Sequence, residues 1–208
     1  MEQMKHLIFD FDGVLGDTWS VRNSALMQLE NKSLEQVINE SDAYFSQPNH
    51  SRKHDITKEC LAEKLEWTRK YGEMVKKMDY DLFHEFIDEL KKVKEKKMAI
   101  VSSGSKIYIE KKIKKLKLEF THVLTFEDHY SKEEKVEAVC RDWGVKPKEA
   151  YYFTDAQTDV MELRDIMDAK RIIGCSWGYQ GYYKLIEVLP DEQILKDYED
   201  VHSVLENL

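Results

Sequence analysis

The chain has 208 residues, a formal net charge of −8, 42% apolar and 35% charged residues. That length suits one domain carrying a large insertion, or two small ones, and the acidic balance argues against general nucleic-acid binding. The apolar runs are too short to cross a bilayer, and the first of them begins within a few residues of Met1. Cys60, Cys140 and Cys175 stand far apart without C-x-x-C spacing, as expected of reduced thiols in a cytoplasmic protein with no membrane partner.

The first predicted element is a short buried strand over residues 7–9, Leu-Ile-Phe, ending in Asp10, Phe11, Asp12 and Gly13. Residues 18–79 then contain no strand-like run. Val21, Ala25 and Leu29 share one helical face, and Leu61, Leu65 and Thr68 share another. Ser33 with Gln36 has capping-box spacing. Residues 47–54, with Pro48 and Asn49, read as a loop. His50 and His54 have the spacing of a helical metal pair but fall in this loop. A small helical subdomain inserted after the first strand is therefore expected over residues 18–79.

From residue 80 onward strands and helices alternate. Leu82, Phe83, Phe86, Ile87, Leu90 and Val93 repeat at helical steps before an apolar run at 98–101. Further runs stand at 122–125, 151–153 and 171–175, with helical patterns at Ile109/Ile113/Leu116, Val136/Val139/Cys140/Trp143 and Val160/Leu163/Met167. Val201, Val204, Leu205 and Leu208 fit a closing helix. The pattern predicts an α/β protein, a Rossmann-like parallel sheet with helices on both faces, formed by residues 1–17 and 80–208. The lysine-rich stretches at 91–97 and 111–117 read as solvated helix faces.

The chemistry concentrates where the strands end. Asp10 and Asp12 close the first strand on the same side, two like charges that repel unless a cation or a proton intervenes. Ser102 follows the run at 98–101, with Ser103 and Gly104 behind it. Asp155 follows the run at 151–153, with Asp159 four residues on, and Lys132 opens a helix behind Ser131. A parallel sheet brings these groups to one edge. Hard carboxylate oxygens beside an amine and a hydroxyl suit Mg²⁺-assisted phosphoryl transfer.

These motifs resemble those of the haloacid dehalogenase-like hydrolase superfamily. Asp10-Phe11-Asp12-Gly13-Val14-Leu15 is similar to its first motif, Ser102 to the second, Lys132 to the third, and Asp155-Ala156-Gln157-Thr158-Asp159 to the fourth. Thr154 stands where relatives often carry Gly, and Glu133 where many carry Pro, so Lys135 competes with Lys132 for the third motif. The resemblance implies that Asp10 is the nucleophile and Asp12 the general acid and base. It implies Mg²⁺ on Asp10, the Asp12 backbone and Asp155, with Asp159 a ligand or an outer orienter. Ser102, Gly13 and Ser103 would contact phosphate. It makes residues 18–79 a cap that selects the substrate, with Trp19, Arg22, Arg52, Lys53 and His54 as candidate selectivity residues. Arg52 and Lys53 are the candidate anion binders. The expected activity is a Mg²⁺-dependent phosphatase acting on a small phosphorylated metabolite. A sugar-phosphate mutase and a non-catalytic binding module are the alternatives.

Overall fold

The structure is a computed structural model that describes residues 4–46 and 56–207. Its centre is a six-stranded, wholly parallel sheet in the order β3-β2-β1-β4-β5-β6. The strands are β1 (Lys5–Phe9), β2 (Lys96–Val101), β3 (His122–Leu124), β4 (Tyr151–Thr154), β5 (Ile172–Cys175) and β6 (Ile194–Leu195). Five lie at the predicted apolar runs. The sixth spans two residues, too few for any periodicity to mark.

Strand alternation sorts the core into two layers. Leu7 and Phe9 of β1, Ile100 of β2 and Phe153 of β4 point to one face of the sheet. There they meet Phe86 and Leu90 of α4 (His84–Lys92), Ile109 of α5 (Lys106–Ile113) and Val201 of α9 (Asp200–Asn207). Ile8, Ala99 and Tyr152 point the other way, onto Val136 and Val139 of α6 (Lys132–Trp143), Leu163 of α7 (Gln157–Leu163) and Leu185 of α8 (Gly181–Leu185). Helices thus cover both faces, the condition for buried parallel strands.

Among the described residues, three helices interrupt this pattern between β1 and α4: α1 (Trp19–Glu30), α2 (Leu34–Phe45) and α3 (Lys58–Val75). The predicted capping box on α2 is present, Ser33 and Gln36 bonding each other's backbone amides. α1 packs on α2 and α3, while α3 also meets α5 and α2 meets α7. The chain enters and leaves this insertion side by side. Asp17 N–H donates to Asp81 O at 2.9 Å, and Phe83 N–H donates to Leu15 O at 3.0 Å. Arg52, Lys53, His50 and His54 lie outside the described residues. Among the described residues no helix is long and apolar enough to cross a membrane.

Candidate active site

The sheet runs outward from β1 in both directions: β2 and β3 lie on one side, β4 to β6 on the other. Between β1 and β4 the connections therefore diverge, opening a crevice beyond the strand ends, where α/β sheets hold ligands. Asp10 follows β1 and Asp155 follows β4, one on each side of that crevice. The register carries on past β1, with Asp10 N–H donating to Phe153 O at 2.9 Å. Ser102 follows β2 and is tied to β3 through its N–H and Leu124 O, also at 2.9 Å.

Lys132 reaches this edge from the opposite direction, at the start of α6. The Ser131–Glu134 capping box sets that start. Lys132 Nζ bonds Asp10 Oδ2 and Asp159 Oδ2, each at 2.5 Å, with all three side chains buried. Burial alone would lower the lysine pKa, but the charges of Asp10 and Asp159 outweigh it and hold the ammonium well above its usual range. Lys135, its rival from the sequence, is also buried but donates to Ser102 O at 2.6 Å. Burial and the neighbouring Lys132 charge lower its pKa to about 8.

Several acids around this ammonium hold their protons more tightly than free carboxyls do. Burial, then the Asp10 charge, raises Asp155 to about 8 and Asp12 to about 6. Asp159 is raised as well, chiefly by burial. Among the described residues, Asp12 Oδ1 is the buried side-chain oxygen or nitrogen without a hydrogen-bond partner. Its other oxygen accepts from Tyr108 Oη at 2.6 Å.

Close backbone approach shapes the pocket around Asp155. Gly13 has φ of 75°, and a Cβ there would stand 1.9 Å from Asp155 Oδ2. At Gly178 a Cβ would stand 2.2 Å from Asp155 Cβ. Any side chain at either position would displace the carboxylate. Asp155 Oδ2 also accepts from Tyr179 N–H at 2.7 Å. The Gly13 amide, a candidate phosphate donor from the sequence, is already bonded to Gly16 O at 2.9 Å. Gly13 thus contributes room for Asp155. Ser102 Oγ accepts from Gly104 N–H at 2.9 Å, which directs its own hydroxyl hydrogen elsewhere. Ser103 is exposed and lines the same cavity.

Three residues missed in the sequence reading complete the site. Thr154, the departure from the usual glycine, donates to Asp159 Oδ2 at 2.6 Å and accepts from Ala156 N–H at 3.1 Å. Glu162 accepts from Lys132 N–H at 2.8 Å, and burial, then the Asp159 charge, raises it to about 7. Its spacing of three from Asp159 on α7 was a readable sign of a shared face. Tyr108 lies 96 positions from Asp12 in sequence, and nothing local announces the pairing.

Asp10, Asp12, Ser102, Lys132, Asp155 and Asp159 all line one cavity of about 700 Å³, together with Trp19 and Arg22 from the inserted helices. Residues 7–167 match the sequence profile of the haloacid dehalogenase-like hydrolases. No curated protein matches the chain. Among solved structures, a hydrolase from Pseudomonas syringae is 19% identical, with 99% of each chain covered and a TM-score of 0.69. A predicted phosphoglycolate phosphatase from Haemophilus somnus is 18% identical, with 99% of each chain covered and a TM-score of 0.67. CbbY from Rhodobacter sphaeroides, solved in complex with phosphate, is 13% identical over 98% of this chain and 100% of its own, with a TM-score of 0.65. These structures share the fold over nearly their full lengths, and the profile spans the strands that end in the buried acids. The chain belongs to the haloacid dehalogenase-like hydrolases.

Proposed function

We propose that this protein is a Mg²⁺-dependent phosphatase that hydrolyses a small phosphorylated metabolite through an aspartyl-phosphate on Asp10. The observation that carries this reading is the meeting of Asp10 with Lys132 at 2.5 Å in the crevice between β1 and β4, with Asp12 two residues away. Asp10 Oδ1 accepts from Phe11 N–H at 2.6 Å, which with Lys132 fixes the carboxylate plane. A carboxylate so held attacks phosphorus, and the bond from phosphorus to the ester oxygen breaks.

Asp12 supplies the proton. A carboxyl raised to about 6 by burial and by Asp10 retains a useful protonated fraction near neutral pH. Asp12 gives its proton to the departing alkoxide, then accepts one from the water that attacks the aspartyl-phosphate. The products are free alcohol, inorganic phosphate and restored Asp10. Lys132 and the Ser102 hydroxyl offset negative charge on the phosphoryl oxygens.

The crowding of Asp10, Asp12 and Asp155 in one cavity fits a divalent cation. Mg²⁺ takes one or two carboxylates and keeps several waters. Asp10, Asp155 and the Asp12 carbonyl would hold it. When bound, it neutralises phosphoryl charge. Asp159, whose Oδ2 is engaged by Lys132 and Thr154, orients the lysine. Helices α1–α3 act as the cap, supplying the cavity wall that excludes water and chooses the leaving group.

Hydrolysis of 4-nitrophenyl phosphate with Mg²⁺ or with a chelator tests this reading. Turnover should require Mg²⁺ and should fall by about 10³-fold or more in Asp10→Asn while the circular dichroism spectrum is retained. Absence of Mg²⁺-dependent turnover across a broad phosphate ester panel would refute it.

A further inference from the structure

The cavity is charged at the strand ends and aromatic along the inserted helices. Its volume of about 700 Å³ is in the range that takes a drug-sized organic molecule, well beyond a phosphate joined to a short acid. Trp19 of α1 stacks on Tyr179 with ring centroids 3.5 Å apart and planes 21° apart. Phe45 of α2 leans on the same Tyr179 ring at 5.2 Å. On α3, Trp67 stacks on Tyr71 at 5.3 Å, with planes 6° apart.

Tyr44 is 39% exposed and Trp67 40%, although both line this concave site. Tyr71 and Tyr108 line it too and are packed to 8% and 1%. Aromatic side chains that line a cavity are a source of binding energy for a flat apolar group placed against them. The cations on the inserted helices extend the same surface. The Arg22 guanidinium lies 5.2 Å from the Trp19 ring centre and 5.3 Å from that of Phe45, and Lys64 Nζ lies 5.7 Å from that of Tyr130. Of the lining acids on these helices, Glu30 and Glu40 are both paired with Lys32.

We propose that the preferred substrates are phosphate monoesters of alcohols bearing a planar aromatic ring, the ring packing on the wall that includes Trp67 and Tyr44 while the phosphate meets Asp10. This substrate class rests on the phosphatase reading above. The reaction is the same exchange of an ester oxygen for water at phosphorus, and the released alcohol carries the ring.

Benzyl phosphate and cyclohexylmethyl phosphate make a matched pair. Charge and size are alike and both release an unactivated primary alcohol, but only the first is flat. Calorimetric titration of Asp10→Asn in Mg²⁺ should show benzyl phosphate binding about tenfold more tightly than cyclohexylmethyl phosphate, glucose 6-phosphate or 2-phosphoglycolate. Tenfold corresponds to about 1.4 kcal/mol, the upper part of what an aromatic pair contributes. Adding Trp67→Ala should reduce the benzyl-to-cyclohexylmethyl ratio to about threefold or less. If Asp10→Asn does not fold, the ratios of kcat/KM for the unsubstituted protein give the same comparison. Equal affinity for the flat and saturated esters, or tighter binding of the hexose phosphate, overturns the substrate class. A clear preference for the flat ester without hydrolysis of any of the four compounds upholds the ligand class and refutes the phosphatase reading.

Discussion

At the strand ends each charged side chain is held by named partners: Lys132 by Asp10 and Asp159, Asp159 by Thr154, Asp155 by the Tyr179 amide. Along α1–α3 the lining rings are held by other rings, Trp19 and Phe45 by Tyr179 and Trp67 by Tyr71, and Trp67 is 40% exposed. The first region is over-determined by electrostatics in a buried setting, where removing one partner strands the others. The second is a packing surface, where a lost contact is worth a small multiple of RT. Chemistry placed on the first and selectivity on the second would therefore respond to substitution on different scales.

The largest test of this contrast is Lys132→Ala, which leaves Asp10 and Asp159 without a buried counter-charge. It should cost about 3–5 kcal/mol in urea unfolding and about 10²-fold or more in kcat. Lys135→Ala removes a bond to the Ser102 carbonyl and should cost about 1–3 kcal/mol, with kcat changed by less than about tenfold. The reverse ranking in kcat would assign the active-site lysine to position 135.

Next in size is a pH effect at Glu162. This carboxyl is 4% exposed and raised to about 7 from a reference of 4.5. The folded state binds its proton more tightly than the unfolded state. Its contribution to stability is therefore complete below about pH 4.5 and is lost as pH rises through about 7. Between those values the unsubstituted protein should lose up to about 3 kcal/mol more stability than Glu162→Gln, which does not titrate. Parallel unfolding curves for the two proteins across that window would show that Glu162 is ionised throughout.

A smaller effect is expected at Thr154. Thr154→Val keeps the shape but removes the hydroxyl bonded to Asp159, and should lower kcat by about tenfold with KM changed less. An unaltered kcat would mean that Lys132 alone positions Asp159. The smallest effect belongs to the aromatic wall. Arg22→Ala removes the guanidinium from the Trp19 and Phe45 faces and its 2.8 Å bond to Ser41 Oγ. It should raise KM by about threefold to tenfold and leave kcat within about twofold. A fall in kcat comparable with that of Lys132→Ala would erase the distinction between the two regions.

The strand ends were legible because their signal is local. Three apolar residues followed by Asp10 and Asp12, or by Asp155 after Tyr151–Phe153, describe a strand and its terminus within a single short stretch. The Ser131–Glu134 box placed Lys132 at the first turn of α6 in the same way. The site residues that escaped notice are those whose partners are remote. Tyr108 is an unremarkable aromatic in a helical pattern until α5 carries it to Asp12. Thr154 reads as a missing glycine until its hydroxyl is seen on Asp159. The choice between Lys132 and Lys135, three residues apart on one helix, was open because it depends on which way α6 faces the sheet.

What the amino-acid order determined by itself is therefore the alternation of strand and helix, the interruption between the first two strands, and the identity of the acids at the strand ends. These follow from side-chain periodicity and capping, which act over a few residues. Only the tertiary structure decided the strand order that opens the crevice at β1 and β4, the convergence of Lys132 on two carboxylates, and the stacking of rings from α1, α2 and α3 around one cavity. Those arrangements depend on burial and on contacts between segments distant in sequence. The energy of such contacts belongs to the folded chain and has no local trace.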